Sequence, residues 1–332
     1  MSDWTPAQRA FPHPVPTPYH LMVRTWTYAW WRPVVGIFIA AAGMIVVAPL
    51  VLLPVLAVAV AVEGGPFLDK FQKAATLKTV DPAALLYLNL VLASMVLVTW
   101  FIMRFVHRMR PRWLASVVPR LRWKFLGVCL GLAVVALVAQ VFVGQLLPRG
   151  VEDDVSGSLN HFTVGTAVSA AIILLTTPLQ AAGEEYLFRG YLLQAVGSLV
   201  PGRWSKWVAI ALTAGAFAFA HGSQNFPLFF DRLAFGLIAG WLVTRTGGLE
   251  AGIALHVLNN FLAFGLALAF GDLTSTLTVS HVSWWNIVLT VTQSGVYTVL
   301  VVLVARRWGL QTRTRPPGTA PGTPQDPALA SA

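Results

Sequence analysis

The sequence predicts an all-α, polytopic membrane protein with about eight transmembrane helices. Of its 332 residues, 56% are hydrophobic and only 11% are charged, whereas a soluble domain usually carries about a quarter charged residues. The apolar residues fall into separate runs, most of them long enough to cross a bilayer. The runs lack the alternation of a membrane barrel, and backbone in lipid must hydrogen-bond within its own helix. Helices are therefore expected throughout the membrane.

Eight apolar runs are expected to form the spans. Their bounds are Val34–Val62, Ala83–Met103, Phe125–Leu147, Thr163–Phe188, Trp207–Ala220, Leu228–Val243, Leu249–Phe270 and Trp284–Ala305. The first run is too long for a cleavable signal peptide and lacks a small-residue cleavage pattern. Residues 34–147 thus hold three N-terminal transmembrane helices, and residues 163–305 hold the other five.

The two ends of the chain differ in composition from the spans. Residues 1–33 are polar and rich in proline, and several tryptophans precede the first span, where aromatic side chains favour the membrane interface. Residues 311–332 are rich in proline, threonine and alanine, which indicates a disordered tail. We expect both ends on the cytoplasmic side.

The charges between the spans predict this orientation, in an integral, multi-pass protein of the plasma membrane. Positive residues favour cytoplasmic loops, and the basic loops alternate along the chain, whereas Glu152, Asp153 and Asp154 fall in an opposite loop. The net charge of +10 is spread between apolar runs, which indicates contact with anionic lipids rather than nucleic acid. The basic residues are Arg104, Arg108, Arg110, Arg112, Arg120, Arg122, Lys124, Arg203, Lys206, Arg245, Arg306 and Arg307.

Several conspicuous residues are expected to be structural or solvated. The single cysteine, Cys129, excludes a disulfide framework and a cysteine metal cluster. The spacings Gly127/Gly131 and Gly236/Gly240 predict close helix packing. Histidines in the predicted loops and tails are expected to be solvated: His13, His20, His107, His161 and His281.

Three charged residues lie in the stretch "AAGEEYLFRGYLLQ", which is otherwise apolar. Glu185 and Arg189 are four residues apart and can pair on one helix face. Glu184 points about 100° away, so it lacks that partner and is available for chemistry. A carboxylate in a dry site can act as a base. The structural alternative is a salt-bridged hinge, although one arginine cannot neutralise two acids.

Two further polar clusters follow on later helices. Phe217 and His221 are one helical turn apart at the end of the short fifth run, and His256 and Asn260 share a face of the seventh. A histidine or an amide within a bilayer needs polar partners. The structural alternatives are an interface histidine and hydrogen bonds between helices. Together, a carboxylate, two histidines and an amide can activate water and stabilise an oxyanion.

Glu184 and His221 are predicted at different depths in the membrane, so they can form one site only under certain conditions. Counting along the spans places Glu184 toward the cytoplasmic end of the fourth run and His221 toward the opposite end of the fifth. The residues can meet only if the fifth helix is tilted or partly outside the membrane, or if Pro178 kinks the fourth.

The ordered set EExxxR, FxxxH and HxxxN resembles one family of intramembrane endopeptidases. This is the CPBP or ABI family, which is similar to the type II CAAX prenyl endopeptidases. The matching residues lie within about residues 165–270, and they are Glu184, Glu185, Arg189, Phe217, His221, His256 and Asn260. The resemblance implies that residues 163–305 form a protease core that hydrolyses a peptide bond of a membrane-associated protein or peptide.

The resemblance also implies a role for each residue. Glu184 and His221 would activate the attacking water, and His256 and Asn260 would polarise the scissile carbonyl and stabilise the oxyanion. Three residues would give structural support: Glu185, Arg189 and Phe217.

The sequence leaves alternatives open for the cofactor and for the function. The site is either metal-free or holds a divalent ion such as zinc on Glu184, His221 and His256. A non-catalytic scaffold or immunity protein of the same fold would bind a peptide without cleaving it. A transporter would use Glu184 as a proton carrier and would show proton-coupled flux without cleavage.

Overall fold

A computed structural model describes residues 11–148 and 159–315 of the chain, and within them helices dominate. The helices are α1 Trp31–Glu63, α2 Phe67–Ala75, α3 Pro82–Val106, α4 Trp123–Leu146, α5 Val164–Leu199, α6 Ser205–Phe219, α7 Phe226–Thr246, α8 Glu250–Phe270, α9 Leu273–Leu277 and α10 Trp285–Arg307. In the described residues, the β contacts are two isolated bridges. The predicted all-α, polytopic fold is confirmed.

Seven of the described helices are long and apolar enough to cross a membrane, one fewer than the eight expected. The exception is α6, which has only 15 residues. At 1.5 Å per residue it is about 22 Å long, whereas the hydrocarbon core is about 30 Å thick. The fifth predicted span is therefore too short to cross alone, so His221 just after it need not lie at the opposite face of the membrane.

The helix that carries Glu184 is longer than predicted. The expected span ended at Phe188, but α5, which has 36 residues in all, continues to Leu199. Its segment Tyr186–Leu192 is a π-helix, a form that often occurs at functional sites. Arg189 and Glu185 are buried there, so these charges do not mark the end of the helix. Glu184 lies near the middle of α5 rather than near one of its ends.

The helices of the C-terminal half pack around α5 and α8. Helix α5 packs against α3 and α8, α8 packs also against α4, and α4 against α10. From α10 the contacts continue to α7, then to α6, and from α6 back to the last turns of α5. This arrangement brings the middle of α5, the end of α6 and the first half of α8 together.

Only one of the two glycine pairs brings helices into close contact. A Cβ added at Gly236 would lie 2.8 Å from Ala214, and one added at Gly240 would lie 3.3 Å from Ile210. Gly127 and Gly131 have nothing within 4 Å of such a Cβ, so the packing predicted for this pair is wrong. They lie on a face of α4 that the described residues leave uncovered.

The basic connections meet at one end of the bundle. Arg122 on the α3–α4 connection donates to Glu250 at 2.6 Å and to the Thr246 carbonyl at 2.8 Å, and this joins it to the α7–α8 turn. Which side of the membrane this end faces stays a prediction. The acidic loop residues Glu152, Asp153 and Asp154 lie outside the described residues.

The N-terminal segment, residues 11–30, packs against the rest of the protein. Arg24 Nε donates to the Ser198 carbonyl at the end of α5 at 3.0 Å. The backbone N–H of Thr17 donates to Thr314 Oγ1 at 2.9 Å, and Thr314 is buried. The first residues of the predicted disordered tail are therefore ordered, whereas residues 316–332 lie outside the described part.

Two histidines that were expected to be solvated are buried. His13 and His107 are 1% and 2% exposed. His13 Nε2 hydrogen-bonds the Met22 carbonyl at 2.7 Å, and His107 Nε2 lies 3.1 Å from the Tyr191 hydroxyl. His20 is half-buried, while His161 and His281 are exposed as expected. The prediction of solvation for all five histidines came from their local sequence, which does not show the tertiary contacts that bury His13 and His107.

Candidate functional site

The two glutamates of α5 are both buried, in different surroundings. Arg189 Nη1 donates to Glu185 Oε1 at 2.8 Å, which is the predicted pair. The other oxygen, Glu185 Oε2, faces Gly252 of α8, where an added Cβ would lie 2.5 Å away. Glu184 lies beside this pair and is 8% exposed. Only glycine at position 252 lets α8 approach the glutamates this closely.

His256 of α8 bridges the two carboxylates. Its Nδ1 lies 3.0 Å from Glu185 Oε1, and its Nε2 lies 3.1 Å from Glu184 Oε2. Arg189 is thus the ion-pair partner of Glu185, as expected, and Glu184 contacts His256 instead. If both carboxylates are ionised, both ring nitrogens of His256 must donate. The charges of Glu184, Glu185, Arg189 and an imidazolium at His256 then sum to zero in this buried cluster.

Aromatic rings surround the charged cluster. The Arg189 guanidinium lies 4.1 Å from the ring centroid of Phe217 and 4.9 Å from that of Phe235. The same two rings pack against the His256 imidazole, with centroids 5.9 and 5.1 Å apart. Phe217 has the supporting position that was predicted. Phe235 was not singled out because an isolated phenylalanine in an apolar run carries no sequence signal.

His221 lies just after α6 and packs against Phe217. Its ring centroid is 4.7 Å from that of Phe217, and it is close enough to Glu184 for an electrostatic interaction. Its Nδ1 lies 2.8 Å from the Phe217 carbonyl. Since a carbonyl only accepts, Nδ1 carries the proton and Nε2 of the neutral ring keeps its lone pair. The residue is exposed, so a substrate can reach its side chain.

Asn260 is held by Gln180, a residue that lies outside the three predicted motifs. Its Nδ2 donates to Gln180 Oε1 at 2.8 Å. Gln180 precedes Glu184 by one helical turn, and Asn260 follows His256 by one turn. The two contacts therefore form successive rungs between α5 and α8, which run antiparallel. The spacing of Gln180 and Glu184 on one helix face was the available signal.

The side chains do not fit a metal centre as they are placed. Both ring nitrogens of His256 face carboxylates, and His221 Nδ1 faces a carbonyl. In residues 11–148 and 159–315, no group of three histidine, cysteine, aspartate or glutamate side chains is positioned to hold an ion. The zinc alternative, with Glu184, His221 and His256 as ligands, is not supported by this geometry.

Comparison with known proteins bears on the same segment of the chain. Residues 166–262 match the family model described as "Type II CAAX prenyl endopeptidase Rce1-like". The predicted family resemblance is confirmed. This Rce1-like segment contains α6 and α7, most of α5 and the first half of α8, and so it spans every residue of the site.

A curated relative extends the similarity beyond that segment. The uncharacterized protein YyaK of Bacillus subtilis (strain 168) is 26% identical over 212 residues, covering 60% of this chain and 69% of that protein. No solved structure matches the chain. The Rce1-like match supports a CAAX-type intramembrane protease at the level of the family.

Proposed function

We propose that the protein is an intramembrane endopeptidase that hydrolyses a peptide bond of a membrane-associated protein or peptide. The observation that carries the proposal is that buried Glu184 lies close enough to exposed His221 for an electrostatic interaction. Water held between Glu184 and His221 Nε2 has a proton acceptor on each side.

The proposed reaction needs one proton to move twice. The water oxygen attacks the scissile carbonyl carbon while His221 Nε2 or Glu184 takes the proton. The carbonyl oxygen becomes an oxyanion in the tetrahedral intermediate. The C–N bond then breaks, and the same proton passes to the leaving nitrogen, which departs as an amine. The site groups end in the protonation states in which they began.

The geometry refines the roles expected from the sequence. Both ring nitrogens of His256 face carboxylates, so we assign it to orient Glu184 rather than to polarise the substrate. Asn260 keeps one N–H after donating to Gln180, and this donor can stabilise the oxyanion. Glu185, Arg189 and Phe217 hold His256 in place.

The proposal is tested by cleavage of a library of membrane-anchored peptides by the purified protein. Because each change removes a proton acceptor, Glu184→Ala and His221→Ala are expected to lower the rate roughly 100-fold or more. His281→Ala, at an exposed histidine outside the site, is the matched control and should keep full activity. Equal cleavage by wild type and both site variants would refute the assignment of these residues.

A further inference from the structure

Arg232 of α7 is a charged residue in an apolar helix, and the site does not use it. It lies two turns after the start of α7 and is half-buried. Ionisable residues inside membrane helices are costly and commonly pair with an opposite charge. Among the ion pairs of the described residues, none involves Arg232. Its positive charge therefore lacks a carboxylate in contact.

The neighbouring carboxylate does not fill this role. Thr290 on α10 donates to Asp231 Oδ1 at 2.5 Å. Asp231 thus turns toward α10 and acts on Arg232 only from beyond contact distance. The two adjacent charges on α7 point to different neighbours and do not neutralise each other by direct contact.

Arg232 is instead connected to the turn that carries His221. Its Nη1 donates to Gln224 Oε1 at 2.7 Å, and Gln224 Nε2 donates to the Ala218 carbonyl at 2.7 Å. The backbone N–H of His221 donates to that same carbonyl at 3.4 Å. In the described residues, Gln224 is the one hydrogen-bond partner of the guanidinium, so donors remain on its other nitrogens.

We propose that Arg232 is a specificity-determining residue that binds a carboxylate of the peptide substrate. The inference rests on the proposed function. Glu184 and Arg232 both lie close enough to His221 for an electrostatic interaction, and Gln224 joins Arg232 to the turn that carries His221. A peptide whose scissile carbonyl meets His221 can therefore extend to the guanidinium. A guanidinium with free donors suits a carboxylate, which it binds with two parallel hydrogen bonds. The guanidinium of Arg232 then forms an ion pair with the substrate carboxylate when the substrate binds.

The test compares each peptide as a free acid and as a C-terminal amide. Wild type, Arg232→Gln, Arg232→Lys and Arg245→Gln are reconstituted in phosphatidylcholine vesicles. Arg245 is an exposed arginine in the last turn of the same helix, so its variant is the matched control. Wild type and Arg245→Gln are expected to favour the acid about tenfold in kcat/KM through a lower KM, because a charge-assisted bond is lost in the amide.

Arg232→Gln should cleave both forms at the rate that wild type shows for the amide, which also shows that the variant is folded. Arg232→Lys keeps the charge and should retain part of the preference. A wild type that cleaves acid and amide equally would overturn the inference and leave the proposed function intact. Loss of cleavage of both forms by Arg232→Gln would show a structural role and would also overturn it.

A binding measurement separates this inference from cleavage. In the Glu184→Gln background, the acid peptide should bind about tenfold more tightly than the amide, and Arg232→Gln should remove that difference. Equal binding of the two forms would overturn the inference even if no peptide is cleaved. Adding phosphatidylglycerol tests the lipid as the source of the anion. If it abolishes the acid preference, Arg232 binds lipid phosphate and not the substrate.

Discussion

At the scale of single residues, Gln180 determines how the amide of Asn260 is presented. Its Oε1 takes one of the two N–H groups of Asn260 Nδ2 and leaves the other for the substrate. Leucine at this position is similar in size but provides no acceptor. The Asn260 amide would then be free to rotate, and a preorganised donor would become a mobile one.

We therefore expect Gln180→Leu to lower kcat roughly tenfold or more with little change in KM, because the interaction is made in the transition state. Thr176→Val is the control. Thr176 lies one turn earlier on α5 and accepts from Asn89 at 2.8 Å, away from the site. Steady-state kinetics on one cleaved peptide gives both constants. A change confined to KM would show that Gln180 acts in substrate binding rather than in positioning Asn260.

The contacts of His256 predict the response to metal removal. Since its ring nitrogens face Glu184 and Glu185, we expect treatment with a chelator followed by dialysis to leave cleavage unchanged. Metal analysis of the purified, active protein should find less than one bound ion per chain. Activity that is lost with the chelator and restored by zinc would contradict this arrangement of the site.

At the scale of helices, the position of α5 depends on its contact with α3. A Cβ added at Gly183 would lie 2.0 Å from the carbonyl oxygen of Leu92. Backbone atoms cannot turn aside as a side chain can, so Gly183→Ala must push the two helices apart. The displacement would begin at the residue next to Glu184.

Gly183→Ala is accordingly expected to destabilise the fold by roughly 1–3 kcal/mol and to reduce cleavage. Gly127→Ala on α4 is the matched control, because an added Cβ there has nothing within 4 Å. That variant should be unchanged or slightly more stable, since alanine favours helix over glycine. Thermal unfolding in detergent measures both. Equal unfolding temperatures for the two variants would show that α3 and α5 can separate at no cost.

The sequence predicted the apolar cores of the helices better than their ends and partners. Lipid requires long apolar helices, so hydropathy alone locates most of them. Hydropathy ended the fourth span too early, at Phe188. An arginine such as Arg189 usually indicates the membrane interface, and the sequence does not show that Arg189 is buried against Glu185. The motif spacings predicted the Glu185–Arg189 pair within one helix. They could not predict that His256 contacts both glutamates, since that depends on the distance between α5 and α8.

At the scale of the whole molecule, the N-terminal segment, residues 11–30, connects the end of α5 with the residues that follow α10. It contacts both the end of α5 and residues 313–314. Burial lowers the pKa of His13 to about 4, partly offset by its bond to the Met22 carbonyl. Burial, with Arg32 nearby, lowers the pKa of His107 to about 4. Both residues lie outside the membrane-spanning helices and are neutral at neutral pH.

We expect these two histidines to make folding sensitive to acid. Their pKa in the folded state, about 4, lies below the ordinary value of 6.5, so the unfolded chain binds more protons between these limits. Stability is therefore expected to fall as the pH drops from 6.5 to 4, by roughly 3 kcal/mol for each histidine. Unfolding temperature measured against pH should show this decline. The double variant His13→Gln/His107→Gln should flatten it, whereas His161→Gln/His281→Gln, at exposed histidines, should not. Parallel curves for the two double variants would mean that groups elsewhere cause the acid sensitivity.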